Sequence, residues 1–500
     1  MRDFSLTELI RSVFIRSLSG SLDVRIRKLT HDSRLAEPGS LFFALPGATT
    51  DGNLFIHKAI QKGARAILSE KPKPADVNVS WIEVKNATEA MGQIANTFFK
   101  FPSSTITLLG VTGTNGKTTT AFMITSILNQ TGQKTGLMST IGYGVGNKFN
   151  SQVEHMTTVG GRILMKRLQS MKKQGMDWLV LETTSHALAQ NRVFGIPYSV
   201  AVFTNLTHEH LDYHLTFERY RTAKVKLFKL TNKNNRGLKL GIINSEDPSS
   251  QYFIKAITNP VTYGVTQGDF VPENLRESPS GFSYDLNYQN TKYSIKCHIP
   301  GRFNVYNSLA AIVVAIKLGL SPEQIFVGLD NLKSVEGRMN LIDEGQAFEV
   351  IVDYAHSPDS FQKLFEELQP IVKKRVIVLF GSAGERDVAK RAVQGELAGK
   401  FADIVILSEE DDRQEDGQQI LNNIAEGVLG AGKKLDFNLF KILDRRQAIQ
   451  KAFSLAQADD LVLLLGKGHE KSIIRRGGSI SWNEIEVAKQ ELRNLISNEK

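Results

Sequence analysis

The segment from Thr105 to Leu128, TITLLGVTGTNGKTTTAFMITSIL, has the residue types of a phosphate-binding loop. An apolar, β-prone run leads into a loop of Gly, Thr and Asn, and a helical pattern follows Gly116-Lys117-Thr118. Glycines let backbone N–H groups face an anion, and the start of a helix adds partial positive charge. In such loops the lysine reaches the β- and γ-phosphates, and the hydroxyl that follows it binds Mg²⁺. The segment therefore predicts a site for ATP and magnesium, with ATP bound by Gly113, Thr114, Asn115, Gly116, Lys117, Thr118 and Thr119.

The loop departs from the strict P-loop pattern at one position. That pattern requires Gly at position 111, where this chain has Val111, and the nearest glycines are Gly110 and Gly113. A glycine-rich turn between a strand and a helix is the alternative interpretation. The Gly-Lys-Thr tripeptide, the strand before it and the helix after it all favour phosphate binding, so we interpret the segment as a variant P-loop.

Length and composition limit the class of protein. At roughly 150 residues per domain, 500 residues predict about three domains. A hydrophobic fraction of 41% and a charged fraction of 23% are ordinary for a soluble globular protein. The sequence has no apolar run near the ~18 residues of a membrane helix, and its charged, amphipathic start lacks the apolar core of a signal peptide. The single cysteine, Cys297, excludes an intrachain disulfide, so we expect a cytoplasmic protein with no membrane partner.

The net charge of +9 is compatible with nucleic acid or with an anionic small substrate. The sequence has no basic run with interleaved aromatic residues, so we expect no nucleic-acid partner. An ATPase that depends on nucleic acid is the alternative from this class. It predicts ATP hydrolysis that DNA or RNA stimulates and that depends steeply on salt.

Apolar, β-prone segments alternate with helical patterns along most of the chain. They predict a small N-terminal α/β domain at residues 1–103, a middle domain at 104–336 and a third domain at 337–500, with a linker at 101–104. We expect an α/β fold in which the middle domain has a P-loop and a doubly wound, mostly parallel sheet and the C-terminal domain is Rossmann-like. The predicted strands of the last two domains are 178–181, 198–203, 240–243, 260–263, 350–352, 375–380, 403–407 and 460–465.

Polar residues follow two middle-domain strands, at the edge where such sheets bind ligands. Glu182 ends one apolar strand, where a carboxylate could hold the Mg²⁺ that accompanies ATP; the alternative is a surface glutamate. His208, His210 and His214 follow another strand, and this density suits a metal or phosphate site. Zinc is disfavoured because cysteine is absent there and Mg²⁺ with a nucleotide prefers oxygen ligands.

Three other positions are ambiguous from the residues alone. Asn304 and Asn307, at the start of an Ala-rich helical pattern, could contact an adenine edge or cap the helix. Lys224 lies in a helical pattern at 218–228 whose spacing marks it only as a solvated lysine. Ser33 lies in a polar triplet that could equally be a solvated turn.

Eight motifs occur in order over nearly the whole chain: TGTNGKTT, ETTSH, HEHLDYH, FNVYN, GRM, DYAHSPDS, GERDVAKR and GKGHE. Together they resemble the Mur ligase family. The resemblance implies a three-domain, ATP-dependent amide ligase of cytoplasmic peptidoglycan synthesis. It implies that UDP-N-acetylmuramoyl-L-alanyl-D-glutamate is joined to a diamino acid through an acyl phosphate, with release of ADP and phosphate. We expect a monomer.

The resemblance also assigns roles to single residues. Lys117, Lys224 and His210 would be catalytic, and carbamylation of Lys224 would turn its ammonium into an anion that holds a second Mg²⁺. The metal ligands would be Glu182, His210, Lys224 and Thr118, the last through its P-loop hydroxyl.

Substrate contacts follow from the same resemblance. ATP would also meet Asn304, Asn307, Arg338, Asp353 and His356. The UDP-substrate would meet Ser33, Thr157, Thr158, Ser185, Gln190 and Arg192, and the amino acid would meet Arg386, Asp411, Arg413, Gly466 and Glu470.

The amino-acid loop departs from the family's pattern. Members that add diaminopimelate have Asp-Asn-Pro-Arg, whereas this chain has Glu410-Asp411-Asp412-Arg413. Arg413 can pair with a distal carboxylate, which diaminopimelate has and lysine lacks. Asp411 instead favours an ammonium, so the two signals conflict, and we favour meso-diaminopimelate over L-lysine. Two further departures are Glu209, where the family has Asp, and Lys471, where an acidic residue is common.

Two alternatives lie closer to the resemblance. The chain could be another amide ligase of the superfamily, such as another Mur step or a folylpolyglutamate synthase; the N-terminal HDSR and DGNLFIHKAI segments, which resemble a uridine-binding domain, disfavour the folate enzyme. It could also be a degenerate, non-catalytic nucleotide-binding protein, which the presence of Lys117, Thr118, Glu182 and Lys224 disfavours.

Overall fold

The computed structural model describes residues 3–47, 50–100, 106–146, 148–151, 156–235, 237–278 and 281–498. The predicted linker at 101–104 lies outside the described residues. The strands are β1 (Phe4–Ser5), β2 (Ile15–Ser19), β3 (Arg25–Ile26), β4 (Lys28–Thr30), β5 (Ser40–Phe43), β6 (Ala64–Ser69), β7 (Ser80–Val84), β8 (Thr107–Thr112), β9 (Thr135–Met138), β10 (Gly142–Val145), β11 (Lys148–Ser151), β12 (Trp178–Glu182), β13 (Val200–Phe203), β14 (Leu240–Asn244), β15 (Asn259–Tyr263), β16 (Glu273–Ser278), β17 (Gly281–Tyr288), β18 (Thr291–Cys297), β19 (Asn340–Ile342), β20 (Glu349–Asp353), β21 (Val376–Phe380), β22 (Ile404–Leu407), β23 (Leu439–Lys441), β24 (Leu461–Leu465), β25 (Ser472–Arg475) and β26 (Gly478–Ser481).

The helices alternate with these strands. They are α1 (Leu6–Ile10), α2 (Ile56–Gln61), α3 (Ala87–Phe98), α4 (Lys117–Leu128), α5 (Gly161–Lys173), α6 (Ser185–Ala189), α7 (Leu211–His214), α8 (Phe217–Lys233), α9 (Ser250–Ile254), α10 (Arg302–Lys317), α11 (Pro322–Asp330), α12 (Pro358–Leu368), α13 (Ala389–Phe401), α14 (Gly417–Gly430), α15 (Arg445–Leu455) and α16 (Glu484–Asn498). Within the described ranges, no helix is both long and apolar enough to cross a membrane.

The chain divides into two compact units. Unit 1 consists of Met1–Gly113, Thr131–Thr204 and His210–Thr262, and unit 2 consists of Thr114–Gln130, Asn205–Glu209 and Tyr263–Lys500.

Unit 1 contains two larger sheets. One has the order β2-β7-β6-β5-β4, with β4 to β7 parallel and β2 antiparallel to β7. The other has the order β11-β10-β9-β12-β8-β13-β14-β15. Its neighbouring strands β9, β12, β8, β13 and β14 are parallel, whereas β10 and β11 form an antiparallel edge. The core strands are continuous apolar runs because a parallel sheet is covered on both faces.

One close approach in unit 1 positions a helix that matters for the chemistry. Gly110 in β8 lies so near α8 that a Cβ would come within 2.8 Å of Leu227 and of Tyr198. The absence of a side chain at Gly110 therefore lets α8, which carries Lys224, pack directly on the strand that leads into the P-loop.

Unit 2 contains the P-loop helix α4, an antiparallel sheet of order β16-β17-β18 and a six-stranded sheet of order β19-β20-β24-β21-β22-β23. The six-stranded sheet is parallel except for β19. Alternate residues of β21 face opposite cores. Val378 and Phe380 join the core with α12 to α14, whereas Ile377 and Leu379 join the core with α15 and α16.

The predicted fold class is confirmed. Every predicted strand of the last two domains corresponds to an observed strand within two residues at each end, and the predicted helix at 218–228 extends over Phe217–Lys233. The antiparallel strands β16 to β18 were not predicted, because their polar and apolar residues alternate on a sheet with one exposed face, a weaker signal than a continuous apolar run.

Candidate active site

The P-loop joins β8 to α4 and is held by main-chain contacts within unit 2. Gly116 caps α4 in the left-handed conformation at φ 82°, and a Cβ there would overlap Asn307 Oδ1, so only glycine fits. Thr114 N donates to Asn205 O at 2.8 Å, and Asn115 N donates to Asn205 Oδ1 at 2.9 Å. Lys117 Nζ donates to Thr114 O at 2.7 Å. The predicted residues Thr114 to Thr119 thus form one loop and the first turn of a helix.

Asn304 and Asn307 are buried on α10 and lie against this loop. Asn307 Oδ1 accepts from Thr120 Oγ1 at 3.2 Å, and Asn307 Nδ2 donates to Asn304 Oδ1 at 2.8 Å. Asn304 Nδ2 donates to Pro300 O at 2.6 Å. The capping alternative is wrong, since the N-cap of α10 is Gly301 and no side chain caps the helix. These amides instead connect α10 to the P-loop helix.

Arg338 contacts the start of the same helix, and Asp353 and His356 lie near Arg338 and each other. Arg338 Nη2 donates to Thr118 Oγ1 at 3.4 Å, and its guanidinium lies 4.8 Å from the Tyr354 ring. Asp353 accepts from Met339 N at 2.8 Å and from Ala355 N at 2.7 Å, while its burial raises its pKa. Burial and the nearby Lys390 lower the pKa of His356. Asp353 therefore fixes the backbone that carries Arg338.

Asp359 contacts the P-loop, and the sequence analysis did not identify it, although the motif DYAHSPDS contains it. Its Oδ2 accepts from Asn115 Nδ2 at 2.9 Å, from Thr207 Oγ1 at 2.9 Å and from Lys363 Nζ at 3.0 Å. Asp359 lies in the first turn of α12. A first-turn acid is common at helix starts, so only the tertiary contact distinguishes this one.

In unit 1, Glu182 organises the residues predicted to bind the UDP-substrate. The carboxylate is fully buried and accepts from Thr140 N at 3.1 Å and from Thr140 Oγ1 at 3.0 Å. Thr140 Oγ1 lies 3.0 Å from Thr157 Oγ1, and Thr158 Oγ1 donates to the Glu182 carbonyl at 2.8 Å. The surface alternative for Glu182 is therefore wrong. Thr140, which the sequence analysis missed, links the two predicted sites.

Arg192 joins the same cluster. Its Nη1 donates to Thr158 O at 3.1 Å, and its Nε donates to Gln190 Oε1 at 2.8 Å. Ser185 Oγ lies 3.0 Å from Nε2 of the buried His214. Thr184, next to Ser185, donates its N–H to Thr158 Oγ1 at 3.1 Å, so the structure brings together five of the six residues assigned to the UDP-substrate.

Ser33, the sixth, begins a short 3₁₀ turn and is buried. His31 lies two residues before Ser33, and burial and the charge of the nearby Arg162 lower the pKa of His31. Arg162, on α5, therefore lies near this turn. Arg162 Nε is buried without a hydrogen-bond partner among the described residues. The sequence analysis did not identify Arg162.

Lys224 is buried rather than solvated, so the spacing-based interpretation is wrong. Its side chain has 2% exposure, its Nζ donates to Gly113 O at 2.6 Å, and the amine lies 4.6 Å from the Tyr220 ring. This amine therefore contacts the carbonyl that opens the P-loop.

His210, in the left-handed conformation before α7, has its ring 4.7 Å from His186. The histidine density predicted a metal or phosphate site. Among the described residues, however, no group of three or more His, Cys, Asp and Glu side chains has the arrangement of a metal site. His210 and His214 instead belong to a cluster of aromatic rings with His186, Tyr213 and Tyr220.

The residues assigned to the amino acid form a charged cluster in unit 2. Asp411 Oδ1 accepts from Lys467 Nζ at 3.0 Å and from Ile474 N at 2.9 Å, and Lys467 Nζ also donates to Glu470 Oε2 at 2.5 Å. Arg413 is in the left-handed conformation at φ 56°, and its Nε is buried without a hydrogen-bond partner among the described residues. Lys467 was not predicted.

Two glycine-containing turns complete this cluster. Gly466 has φ 98°, and a Cβ there would come within 2.8 Å of Glu410 Oε2. Gly384 N donates to Asp411 O at 2.8 Å, which anchors the turn that precedes the exposed Arg386. All five residues assigned to the amino acid therefore lie on loops at the ends of β21, β22 and β24, the edge where parallel sheets bind ligands.

Three family models match the chain in order. They are "Mur ligase family, catalytic domain" at residues 25–99, "Mur ligase middle domain" at 111–315 and "Mur ligase, glutamate ligase domain" at 337–468. The chain belongs to the Mur ligase family and is an ATP-dependent ligase. The predicted family is thereby confirmed.

Relatives narrow the type within the family. The chain is 38% identical to UDP-N-acetylmuramyl-tripeptide synthetase of Roseiflexus sp. (strain RS-1), over 94% of this chain and 95% of the relative. It is 40% identical to UDP-N-acetylmuramoyl-L-alanyl-D-glutamate--2,6-diaminopimelate ligase of Geobacillus kaustophilus (strain HTA426), over 93% of this chain and 94% of the relative. A solved structure of a ligase with that latter name matches with a TM-score of 0.68 and 28% identity, covering 99% of this chain and 100% of the other. Within its family the chain is thus similar to the tripeptide synthetases.

Proposed function

We propose that this protein joins a diamino acid, meso-diaminopimelate in preference to L-lysine, to UDP-N-acetylmuramoyl-L-alanyl-D-glutamate. ATP is converted to ADP and phosphate, and the product is a precursor of peptidoglycan made in the cytoplasm by a monomer. The observation that carries this proposal is the full-length similarity, near 40% identity, to relatives named for that substrate.

The three predicted domains would divide the work. Residues 1–103 would bind the UDP-substrate, 104–336 would bind ATP and 337–500 would bind the amino acid. In support, the three matched family models, at 25–99, 111–315 and 337–468, each lie inside one of these ranges.

The chemistry proceeds in two steps. An oxygen of the D-glutamyl γ-carboxylate attacks the γ-phosphorus of ATP, the bond to the β-phosphate oxygen breaks, and ADP leaves from an acyl phosphate. The amine of the diamino acid then attacks the acyl carbon, loses a proton and expels phosphate. Lys117 and the N–H groups at the start of α4 stabilise negative charge on the transferred phosphoryl group.

The donor types of the candidate ligands suit magnesium. In unit 1 the candidate ligands are Glu182, His210 and Lys224, and the buried carboxylate of Glu182 is the kind of oxygen ligand that Mg²⁺ prefers. In unit 2, Thr118 presents a hydroxyl at the helix start. Bound Mg²⁺ would neutralise phosphate charge.

Carbamylation of Lys224 agrees with its surroundings. The Lys224 amine is buried 2.6 Å from Gly113 O, at the start of the P-loop, so a carbamate would place an anionic oxygen ligand beside the loop. The carbamate nitrogen keeps one N–H, which could still donate to Gly113 O.

Other residues hold the two remaining substrates. Thr157, Thr158, Ser185, Gln190 and Arg192 offer hydroxyl, amide and guanidinium groups to an anionic sugar-peptide. Ser33 would contact the uridine part. Arg413 offers a guanidinium to the distal carboxylate of diaminopimelate.

The test measures phosphate release with ATP, Mg²⁺, UDP-N-acetylmuramoyl-L-alanyl-D-glutamate and each of a panel of amino acids. We expect release only when the muramoyl dipeptide and a diamino acid are both present, fastest with meso-diaminopimelate. Release that requires a different acceptor, or that DNA or RNA stimulates, would overturn the proposal.

A further inference from the structure

A buried lysine occupies the centre of the amino-acid cluster. The Lys467 side chain is fully buried, and its ammonium contacts two of the five residues assigned to the amino acid, Asp411 at 3.0 Å and Glu470 at 2.5 Å. Burial alone would lower the pKa of Lys467, but Glu470 and Asp411 outweigh it and raise the pKa. The cluster therefore contains a permanent internal cation.

This cation changes what Asp411 can do. One carboxylate oxygen of Asp411, Oδ1, already accepts from both Lys467 Nζ and Ile474 N. A carboxylate tied in this way, with its charge offset at 3.0 Å, is a weak partner for a substrate ammonium. By sequence, Asp411 favours L-lysine as the substrate. In the structure, Lys467, 56 positions away in the chain, neutralises the charge of Asp411.

Arg475, another cation near this cluster, does not replace Lys467. Glu409 is paired with Arg475 through two hydrogen bonds of 2.5 and 2.6 Å. Glu410 Oε2 is buried against Gly466 and lacks a hydrogen-bond partner among the described residues. An ammonium of the substrate could pair with Glu410, but diaminopimelate and lysine both supply ammonium groups, so Glu410 does not distinguish them.

The two candidate substrates differ by one carboxylate on the distal carbon. That carboxylate is accepted only if the acids of the cluster do not repel it. Without Lys467, Asp411 and Glu470 would add two uncompensated negative charges to the loops that carry Arg413, and those charges would favour L-lysine.

We propose that Lys467 is a positioning residue that sets amino-acid specificity: by pairing with Asp411 and Glu470, it cancels their charge and lets the cluster accept a substrate with a second carboxylate. This inference rests on the proposed function. It also resolves the conflict between Arg413 and Asp411 in favour of diaminopimelate.

The experiment measures kcat/KM for meso-diaminopimelate and for L-lysine, and the readout is the ratio of the two. In Lys467→Met we expect the ratio to fall at least tenfold, because the loss is concentrated on diaminopimelate. In Asp411→Asn we expect the ratio to rise, and in the double variant Lys467→Met/Asp411→Asn to return toward that of the wild type. Lys434→Met, which alters an exposed lysine of the same unit, should leave the ratio unchanged.

A purely structural role for Lys467 predicts a different result. Lys467→Met would then lower kcat/KM for both amino acids by the same factor, and an unchanged ratio would overturn the inference. If Lys467→Met does not fold, the double variant is compared with Asp411→Asn, and the added Lys467→Met change must still lower the ratio at least tenfold. The wild-type protein is measured first. If it uses neither amino acid, the proposed function itself is overturned, and this outcome is distinct from an unchanged ratio in the variants.

Discussion

The P-loop from Thr114 onward and the amino-acid cluster are two candidate binding sites of unit 2, and they are built in opposite ways. The P-loop presents backbone N–H groups and one lysine from consecutive residues, and distant side chains such as Asn205 and Asn307 only brace it. The amino-acid cluster presents charged side chains from three loops, two of which are joined by an ion pair between residues 56 positions apart. A backbone site binds an anion through local conformation, whereas a side-chain site acquires its charge from long-range pairing.

The first prediction asks whether the P-loop depends on local structure alone. Lys224 contacts the Gly113 carbonyl from a distant helix, and in the proposed function it becomes an anionic metal ligand. We expect Lys224→Ala to lower phosphate release by about 10²–10³-fold, the scale for loss of one preorganised charge at a reacting centre. Acetate or another short carboxylate should restore part of the activity.

Lys229→Ala is the matched control, because Lys229 is exposed on the same helix. Thermal unfolding of both variants separates lost folding from lost chemistry. A fully active Lys224→Ala variant would remove Lys224 from the mechanism and would show that the loop needs no support from α8.

The second prediction concerns the backbone of the P-loop. Gly116→Ala places a Cβ at φ 82° against Asn307 Oδ1, and the left-handed conformation alone costs a non-glycine residue roughly 1–2 kcal/mol. We expect weaker ATP binding, by at least tenfold, in a titration with a fluorescent ATP analogue.

Gly132→Ala isolates the contact with Asn307. Gly132 has a similar φ of 77°, but a Cβ there meets nothing within 4 Å. We expect this control to lose stability and to keep its ATP affinity. Equal losses of ATP affinity in the two variants would contradict the role assigned to the Asn307 contact.

The third prediction sharpens the description of the charged cluster. Burial and the neighbouring Glu409 raise the pKa of Asp412 from 3.8 to about 6. The folded state therefore holds this proton more tightly than the unfolded state does. Stability from Asp412 is complete below pH 3.8 and is lost as the pH rises through about 6.

Asp412→Asn removes the carboxyl group and with it the loss of stability at high pH. We expect the free energy of unfolding to increase at pH 8 by up to about 3 kcal/mol, since one pKa unit corresponds to about 1.4 kcal/mol, and to change little at pH 4. Urea unfolding at both pH values provides the measurement. Glu426→Gln removes the same charge from an exposed position and should change stability at neither pH; a gain in Asp412→Asn that does not depend on pH would contradict the assignment.

Particular residues show how far the sequence could be interpreted. Lys117 was identified from the Gly-Lys-Thr loop that follows an apolar strand, and Glu182 because it ends one, patterns confined to about ten residues. The spacing around Lys224 predicted a solvated lysine, because a helix of mixed composition does not reveal that Gly110 admits it to the core. Thr140, Asp359 and Lys467 were missed because the partners that distinguish them, Glu182, Asn115 and Asp411, come from other segments of the chain.

Sequence alone was sufficient for the strand, loop and helix of the P-loop, for the positions of the main parallel strands and for the family, since each depends on short segments whose preferences act over a few positions. Tertiary structure decided which charges are paired, and so what Asp411 can bind, because Coulomb interactions depend on distance in space and on burial. The side chain that neutralises Asp411 is far from it in the chain and 3.0 Å from it in the fold.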